Sequence, residues 1–256
     1  MEDLQKIRLE VKNRLAHITL NDPPDNFLSI QMLGELADTM EWLAGQTDLV
    51  AVMLSASGGC FTAGIDYREH NRELVFTVLE RFRSICNTLL ALEFPSLAVV
   101  DGKVRNWGCD LLQFFDLVLA SSGATFHYDN LSSGTFPPLG ALILSDRNGL
   151  QTALECLLEG AEMSATRARE LGLISRVLPR EAIVSELKKT MGSFSSYSTP
   201  VLSILLRSLR RRKLELFNNF TDESFSDYLN LLTDLEDFNE GISAWCQKRP
   251  PVWQNR

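Results

Sequence analysis

Short apolar runs alternate along this chain with segments whose apolar residues recur at helical spacing. The runs at 49–54 and 97–100 are of the kind expected for strands that are covered on both faces. Residues 29–44 and 69–93 carry apolar side chains three and four positions apart, and Ser29 is a good cap for the first of these helices. The pattern predicts an α/β protein.

The remaining segments consist of the same two kinds of pattern, apolar strand runs and apolar residues at helical spacing. The strand–strand–helix order recurs without sequence identity between the repeats, which favours a spiral of structural units. We predict a core over residues 1–190 and a C-terminal helical region over residues 191–256. Further elements are expected as a hairpin over 5–20, strands near 117–120, 125–126 and 174–178, and helices over 139–148, 150–159 and, capped by Ser164, 165–171.

Composition narrows the class of protein. A chain of 256 residues that is 45% hydrophobic can bury one large α/β core. The net charge of −8 argues against nucleic acid or an anionic membrane as the main partner. The five cysteines are scattered without metal-like spacing, so no metal site is expected, and they are typical of reduced thiols in a cytoplasmic protein. No apolar run approaches the ~20 residues that span a bilayer.

Two of the buried strands run into glycine-containing turns that lead to helices. The first turn contains Ala63-Gly64-Ile65-Asp66, and the second contains Asn106-Trp107-Gly108-Cys109-Asp110. A strand that turns into a helix leaves backbone N–H groups free to receive negative charge. A plain connection between strand and helix would explain either turn by itself.

Together the two segments resemble those of the enoyl-CoA hydratase/isomerase, or crotonase, superfamily. Residues 50–66 match its strand–GG–F-x-A-G-x-D segment, and residues 100–111 match V-x-G-x-x-x-G-G-G-C-E-L. The resemblance runs from about residue 16 to residue 253. It implies a crotonase-like spiral of ββα repeats and a C-terminal helical region that covers the site and builds a homotrimer or a dimer of trimers. Four aromatic residues are consistent with that interface, although core packing explains them equally well: Phe217, Phe220, Phe225 and Trp245.

In this superfamily a thioester carbonyl lies between two backbone N–H groups that stabilise an enolate. The resemblance assigns these donors to Ile65 and Trp107. One such donor contributes ~3–4 kcal/mol of transition-state stabilisation. Glycine is usual at the position of Trp107 and is used where backbone approaches a ligand or takes positive φ. The indole therefore either packs to close the pocket or belongs to a reshaped but working site.

Hydratases of the superfamily use two carboxylates. Asp110 corresponds to the first, one methylene shorter than the usual Glu, and a shift of ~1 Å at a reacting group can cost a hundredfold in rate. Asn130 corresponds to the second and does not exchange a proton at neutral pH. The residues therefore favour one-base chemistry through Asp110 over two-carboxylate hydration. His127 with Asp129 is an alternative acid/base pair, although a structural role for His127 is the more common outcome.

The resemblance also implies a CoA site, with a CoA thioester as substrate and no permanently bound cofactor. Arg68 matches a position whose basic side chain meets a CoA phosphate, and a guanidinium forks well onto phosphate oxygens. Ala63, Asp66 and Lys248 complete the predicted site. Residues 66–70 and 135–138 carry a local likeness to alicyclic dienoyl-CoA hydratases, which hints at a ring-bearing acyl group.

Two hypotheses follow. The leading one is an acyl-CoA-processing enzyme of hydratase or isomerase type. The alternative is a crotonase-fold protein that has lost catalysis and binds acyl-CoA or serves as a structural subunit. Trp107 and Asn130 favour the alternative, whereas Gly64 and Asp110 favour the enzyme. The basic cluster at 207–213 is interpreted as a solvated helix end, not as a polyanion site.

Overall fold

Two sheets form the centre of the protein. The computed structural model describes residues 4–256. The larger sheet has six strands in the order β1-β2-β3-β5-β7-β10, and every neighbouring pair is parallel except the β1–β2 hairpin, which confirms the predicted hairpin. Its strands are β1 Ile7–Lys12, β2 Leu15–Leu20, β3 Ala51–Ala56, β5 Ser96–Val100, β7 Leu117–Ser121 and β10 Arg176–Leu178.

The smaller sheet has four strands in the order β4-β6-β8-β9. Chain order alternates between the sheets, because β3, β5 and β7 are each followed by a strand of the smaller sheet and then by a helix. This alternation is the predicted spiral of ββα units. The strands of the smaller sheet are β4 Cys60–Thr62, β6 Lys103–Arg105, β8 Thr125–His127 and β9 Met163–Ser164.

Nine α-helices lie within residues 4–256. Ser29 and Ser164 cap α1 and α6 as predicted, each accepting a hydrogen bond of 3.2 Å from a backbone N–H in the first turn. The helices are α1 Ile30–Ala44, α2 Val75–Ala91, α3 Trp107–Leu112, α4 Pro138–Asn148, α5 Leu150–Leu154, α6 Ala165–Glu170, α7 Ile183–Ser196, α8 Thr199–Asp227 and α9 Glu236–Gln247.

The helix predicted from residue 69 begins six residues later. Residues Tyr67–Glu69 form a 3₁₀ turn, and α2 starts only at Val75. The Asn71 side chain accepts hydrogen bonds from the N–H groups of Glu73 and Leu74, at 3.0 and 3.1 Å. An Asn that binds backbone ahead of it stabilises a turn in competition with helix. The predicted strand over 174–178 is likewise shorter, since β10 begins at Arg176.

The basic cluster on α8 is not a uniformly solvated helix end, so that prediction was wrong for two of its members. Arg210 is buried, pairs with Asp116, and donates to backbone carbonyl oxygens, including that of Phe94 at 3.1 Å. Lys213 donates to the carbonyl oxygen of Gln113 at 2.6 Å, and burial lowers its pKa to about 8. These two cations anchor α8 to the core.

Two of the four aromatic residues that fitted an interface and core packing equally well lie in the core. Phe217 packs edge-on against Phe114 at 5.6 Å, and Phe225 is also buried. Phe220 is 46% exposed. Trp245 is half-buried. Helical spacing alone does not show which face of a long helix meets its own core, and α8 buries both of these rings.

In the part of the chain from residue 4 onward, no helix combines the length and the apolarity that crossing a membrane requires. The predicted boundary at residue 190 falls within α7, and the division into two regions stays a prediction.

We propose that the protein assembles as a homotrimer or a dimer of trimers through an apolar ridge on α8. The ridge consists of Val201, Ile204, Leu205 and Leu209, which are 51–70% exposed. The double substitution Leu205→Glu/Leu209→Glu should lower the mass measured by light scattering at micromolar concentration, because it places charge in the contact. Arg207→Glu, on the same helix, should leave the mass unchanged. A monomeric mass for the parent protein would refute the proposal.

Candidate active site

Two backbone turns from successive units of the spiral are in contact. Gly64 has φ +92°, and a Cβ built on it would lie 3.1 Å from the Asn106 Cβ and 3.2 Å from the Arg105 carbonyl oxygen. Glycine is therefore favoured here by its φ, and a side chain would in addition be tightly packed. The contact brings the two predicted N–H donors, which follow Gly64 and Asn106 directly, to neighbouring positions.

Asn106 takes the unusual backbone conformation of the second turn. Its φ is +53° and its ψ is −123°, a combination outside the left-handed region in which Asn is common, so the surrounding contacts must hold it. The Asn106 N–H donates to the His127 carbonyl oxygen at 2.7 Å, and its side-chain oxygen accepts from the Asp129 N–H at 2.8 Å. Trp107 is the first residue of α3. The residue with positive φ is therefore Asn106, one position before Trp107. The indole of Trp107 does not bend the loop.

The Trp107 indole is fully buried. Its ring packs edge-on against Phe82, His70 and Tyr228, with centroid distances of 5.1, 5.6 and 6.2 Å. Within residues 4–256, the N–H groups of Ile65 and Trp107 donate no hydrogen bond. The side chain therefore acts as a packing residue while the backbone N–H stays free, and the two interpretations of Trp107 are compatible.

Asp110 lies three residues after Trp107 on α3, so the two share one face of the helix about 5–6 Å apart. Asp110 is 1% exposed, and a Cβ on Gly140 of α4 would lie 2.0 Å from its Oδ1. Burial raises the pKa of Asp110 well above its usual range, and the nearby Tyr128 hydroxyl and Gly140 N–H offset part of this shift. Neither group forms a well-aligned hydrogen bond with it, and both carboxyl oxygens lack a partner among the described residues.

Asn130 is 2% exposed and begins the 3₁₀ turn Asn130–Ser133. Its backbone carbonyl accepts hydrogen bonds from Thr135, but its side-chain nitrogen and oxygen have no partner within residues 4–256. Thr135 also lies 3.1 Å from the Tyr67 hydroxyl. Asp110 and Asn130 thus place polar atoms with unused hydrogen-bonding capacity in the interior.

His127 and Asp129 have other partners. His127 Nε2 donates to the Gly160 carbonyl oxygen at 2.6 Å, which leaves Nδ1 as the unprotonated nitrogen of the neutral ring. Asp129 pairs with Arg105, and its carboxylate lies 4.0 Å from His127 Nδ1. This arrangement favours a structural role for both residues over an acid/base pair.

His70 belongs to the aromatic cluster around Trp107. It is fully buried, and its Nε2 lies 2.6 Å from the Tyr228 hydroxyl. Burial lowers the pKa of His70 to about 3. The sequence offered no signal for this pairing, because the partners are 158 positions apart.

Arg68 and Lys248 line one cleft of about 700 Å³. The Arg68 guanidinium lies 5.7 Å from the centre of the Phe27 ring and binds the Asp66 carboxylate through two hydrogen bonds of 2.8 and 2.6 Å. Arg249, also in the cleft, pairs with Glu240. The cleft is lined by Asp25, Phe27, Arg68, Ala244, Trp245, Cys246, Lys248 and Arg249.

Arg68 and Lys248, which were predicted to share a site, therefore line the same cleft, and both belong to one chain. The Ala63 N–H donates to the carbonyl of Asp25, a residue of the cleft wall, at 2.9 Å. Asp66 holds Arg68 in place. The contribution of Phe27 and Trp245 to the wall was not expected.

A ββα spiral in which successive turns meet, with a carboxyl group one helical turn beyond the second, is the architecture of the crotonase fold. The family model for enoyl-CoA hydratase/isomerase matches residues 10–256, and the chain belongs to this family.

Individual relatives cover almost the whole chain. The "Probable enoyl-CoA hydratase" of Mycobacterium bovis is 28% identical, over 98% of this chain and 99% of its own. The crystal structure of an enoyl-CoA hydratase from Mycobacterium avium subsp. paratuberculosis superposes with a TM-score of 0.88 at 23% identity, over 99% of this chain and 100% of that one. A methylmalonyl-CoA decarboxylase in complex with 2-nitronate-propionyl-CoA gives a TM-score of 0.85 at 21% identity, over 99% and 100%. At these identities the structures show the fold alone, and one fold hosts different reactions.

The buried His70 predicts a pH dependence of stability. Its pKa is about 6.5 when unfolded and about 3 when folded, so the unfolded state binds the additional proton between these values. The free energy of unfolding should therefore fall as pH falls, by about 1.4 kcal/mol per pH unit near pH 5. His70→Gln should remove this component in urea unfolding at pH 4.5 to 7. His127→Gln is the control, and an unchanged slope in His70→Gln would contradict the assignment.

Proposed function

We propose that the protein acts on acyl-CoA thioesters by stabilising an enolate, with Asp110 as its acid/base group. One observation carries this proposal. The free N–H groups of Ile65 and Trp107 lie on contacting turns, and a buried, partner-free carboxyl group follows one helical turn later.

The proposed reaction needs donors that stabilise negative charge on the thioester oxygen and a group that takes and returns a proton. Removal of a proton from carbon next to a thioester places negative charge on the carbonyl oxygen, where each N–H donor contributes ~3–4 kcal/mol. Asp110 in its ionised form takes the proton, and the resulting acid returns it to another carbon of the same system. The raised pKa makes the ionised carboxylate a stronger base and the acid form easier to populate.

Isomerisation is favoured over hydration. A proton shift between two carbons needs one group that accepts and returns the same proton. Hydration by two carboxylates needs a second acid/base group, and Asn130 orients a ligand without exchanging a proton. Asp110 is also confined by Gly140 of α4, which limits its reach. Hydratase activity is the second candidate.

A non-catalytic acyl-CoA binder is favoured by a different observation. The Trp107 indole, His70 and Tyr228 fill the space beside the predicted donors with a buried cluster, and Asp110 is almost inaccessible. Such packing stabilises the fold whether or not catalysis occurs. Turnover measurements separate the two functions.

For CoA itself, we propose the cleft that contains Arg68 and Lys248. Within residues 4–256, Lys248 has no ion-pair partner, and the Arg68 side chain is 65% exposed although it is bonded to Asp66. Both cations can bind the phosphate groups of CoA. The adjacent rings of Phe27 and Trp245 offer a surface on which its adenine can stack.

Replacing Asp110 by Asn should abolish turnover while thioester binding persists. The change keeps the size of the side chain and removes the titrating group, and loss of general acid–base catalysis costs ~10²–10⁴-fold in kcat. Turnover would be measured against a panel of enoyl- and dienoyl-CoA thioesters, with binding followed by calorimetry.

The same variant has a stability readout. The folded-state pKa of Asp110 is raised, so ionisation in the unfolded state costs stability as pH rises above about 4. Asp110→Asn should therefore unfold at higher urea concentration than the parent at pH 7. Asp129→Asn is the control for loss of a nearby carboxylate. Undiminished turnover in Asp110→Asn would remove the catalytic assignment, and a parent that binds thioesters without turning over any of them would support the binder.

Replacing Arg68 by Ala should weaken CoA binding about tenfold, the loss of one charge-assisted contact, with little change in the melting temperature. Lys248→Ala should do the same. Arg72→Ala, an exposed cation paired with Asp234, serves as the control. Unchanged affinity in both cleft variants by calorimetry would show that Arg68 and Lys248 are surface charges only.

A further inference from the structure

A groove of about 380 Å³ runs along the N-terminal half of α8, on the side that faces the connection between α3 and β7. We call it the α8 groove. Apolar side chains form most of its surface, among them Phe114, Phe194 and Leu202. It shares no lining residue with the cleft proposed for CoA, so it is a separate site.

Three cations and one carboxylate also line the α8 groove. Arg210 is buried and uses its guanidinium on the Asp116 carboxylate and on two backbone carbonyl oxygens, so this pair is neutral. Arg147 and Lys213 remain, and within residues 4–256 neither forms an ion pair with a carboxylate. The groove therefore carries two uncompensated positive charges, in a chain whose net charge is −8.

These two cations converge on one residue, Gln113. Lys213 Nζ donates to the Gln113 carbonyl oxygen at 2.6 Å, and Arg147 Nη1 donates to the Gln113 side-chain oxygen at 3.0 Å. Burial and, next, the neighbouring charge of Arg147 lower the pKa of Lys213 to about 8, against the opposing effect of Asp116. Two like charges held together beside apolar walls cost stability, and an anion between them would offset this cost.

Both cations retain donors that a ligand can reach. An ammonium group has three N–H donors and a guanidinium has five. In the part of the chain that the structure describes, Lys213 uses one donor and Arg147 donates only through Nη1. Arg147 is exposed and Lys213 is partly exposed, and both line the groove. A ligand in the groove therefore has access to cationic groups as well as to apolar surface.

We propose that the α8 groove binds a medium-chain carboxylate, with the carboxylate on Arg147 and Lys213 and the alkyl chain along the apolar walls. A planar carboxylate matches the fork of a guanidinium. An apolar cavity of ~150 Å³ holds the six carbons of benzene, so the volume of the groove has room for a chain of about ten carbons. The proposal is independent of the proposed function, because it uses neither the donor turns nor the CoA cleft.

Other classes of ligand match only one feature of the groove. A fatty alcohol would cover the apolar walls and leave both positive charges without an anion. A short, hydrophilic anion would pair with the cations and leave the apolar walls in water. An anionic head with an apolar tail satisfies both features.

A series of ligands tests the two parts of this assignment by calorimetry, at concentrations below micelle formation. The parent protein should bind decanoate at least tenfold more tightly than hexanoate, because four more methylene groups leave water. It should also bind decanoate at least tenfold more tightly than decan-1-ol, which has no charge for the two cations. Equal affinities in either comparison would overturn the proposal, and tighter binding of decyl phosphate would overturn the choice of a carboxylate head.

Matched variants locate the carboxylate. Arg147→Gln and Lys213→Gln should each weaken decanoate about tenfold and leave decan-1-ol unchanged. Arg212→Gln is the control, because Arg212 follows the same helix but lies outside the groove and pairs with Asp146. Lys213 also anchors α8, so the exposed Arg147 decides the test if Lys213→Gln does not fold. Parent-like decanoate affinity in Arg147→Gln would overturn the proposal.

Binding elsewhere is separated by competition. Saturating CoA, and the variant Arg68→Ala, should leave the decanoate affinity unchanged, and decanoate should shift the NMR signals of the Leu202 and Leu206 methyl groups. Competition with CoA, or the absence of these shifts, would place the carboxylate outside the groove and overturn the proposal. A protein that binds decanoate but no CoA would refute the CoA site and leave this proposal intact.

A second copy of the chain is the remaining alternative occupant. Decanoate affinity should be the same at protein concentrations that give different masses by light scattering. If decanoate bound only where the mass is that of a monomer, the groove would be covered by another copy in the assembly, and the proposal would be overturned.

Discussion

The contact between two backbone turns is the constraint on which the site depends. Gly64 has φ +92°, and a Cβ on it would lie 3.1 Å from the Asn106 Cβ and 3.2 Å from the Arg105 carbonyl oxygen, so a side chain here would be strained and tightly packed against the second turn. Each turn ends a strand of the smaller sheet, and β4 and β6 pair directly, so the sheet sets their separation. The free N–H groups are consequences of this packing, because a backbone donor needs no particular side chain. Ile65 and Trp107 can therefore differ from the residues that are usual in the family while the backbone geometry is kept.

Around this contact, the interior contains a cluster of aromatic rings. Trp107, His70 and Tyr228 touch one another and join α3, the turn before α2, and the end of α8. The large rings fill volume and stabilise the walls of the site. Among the described residues, the side-chain polar atoms of Asp110 and Asn130 have no hydrogen-bond partner, and neither do the Trp107 indole N–H and His70 Nδ1. The protein thus combines a rigid apolar frame with a few costly polar groups, a distribution typical of sites where stability is given up for function.

Local sequence signals predicted much of this architecture. Ser29 and Ser164 cap the helices they were expected to cap, and both glycine-containing turns follow the predicted strands. What could not be predicted depends on tertiary contacts. The positive φ of Asn106 is maintained by its bonds to His127 of β8 and to Asp129 just beyond it, and the burial of Arg210 follows from the docking of α8 on Asp116. The pairing of His70 with Tyr228 has no local signal at all, since it joins distant parts of the chain.

The short helix α3 is held at both ends. Asn106 fastens its first residue to β8, and Lys213 of α8 binds the carbonyl of Gln113, the residue at which the helix ends. A six-residue helix held in this way has contacts at both ends that fix its orientation. Neither end of α3 is therefore free: the position of the Trp107 N–H is fixed on one side by β8 and on the other by the docking of α8 through Lys213. The long C-terminal helix is thus part of what holds a backbone donor in place, although it contributes no residue to either turn.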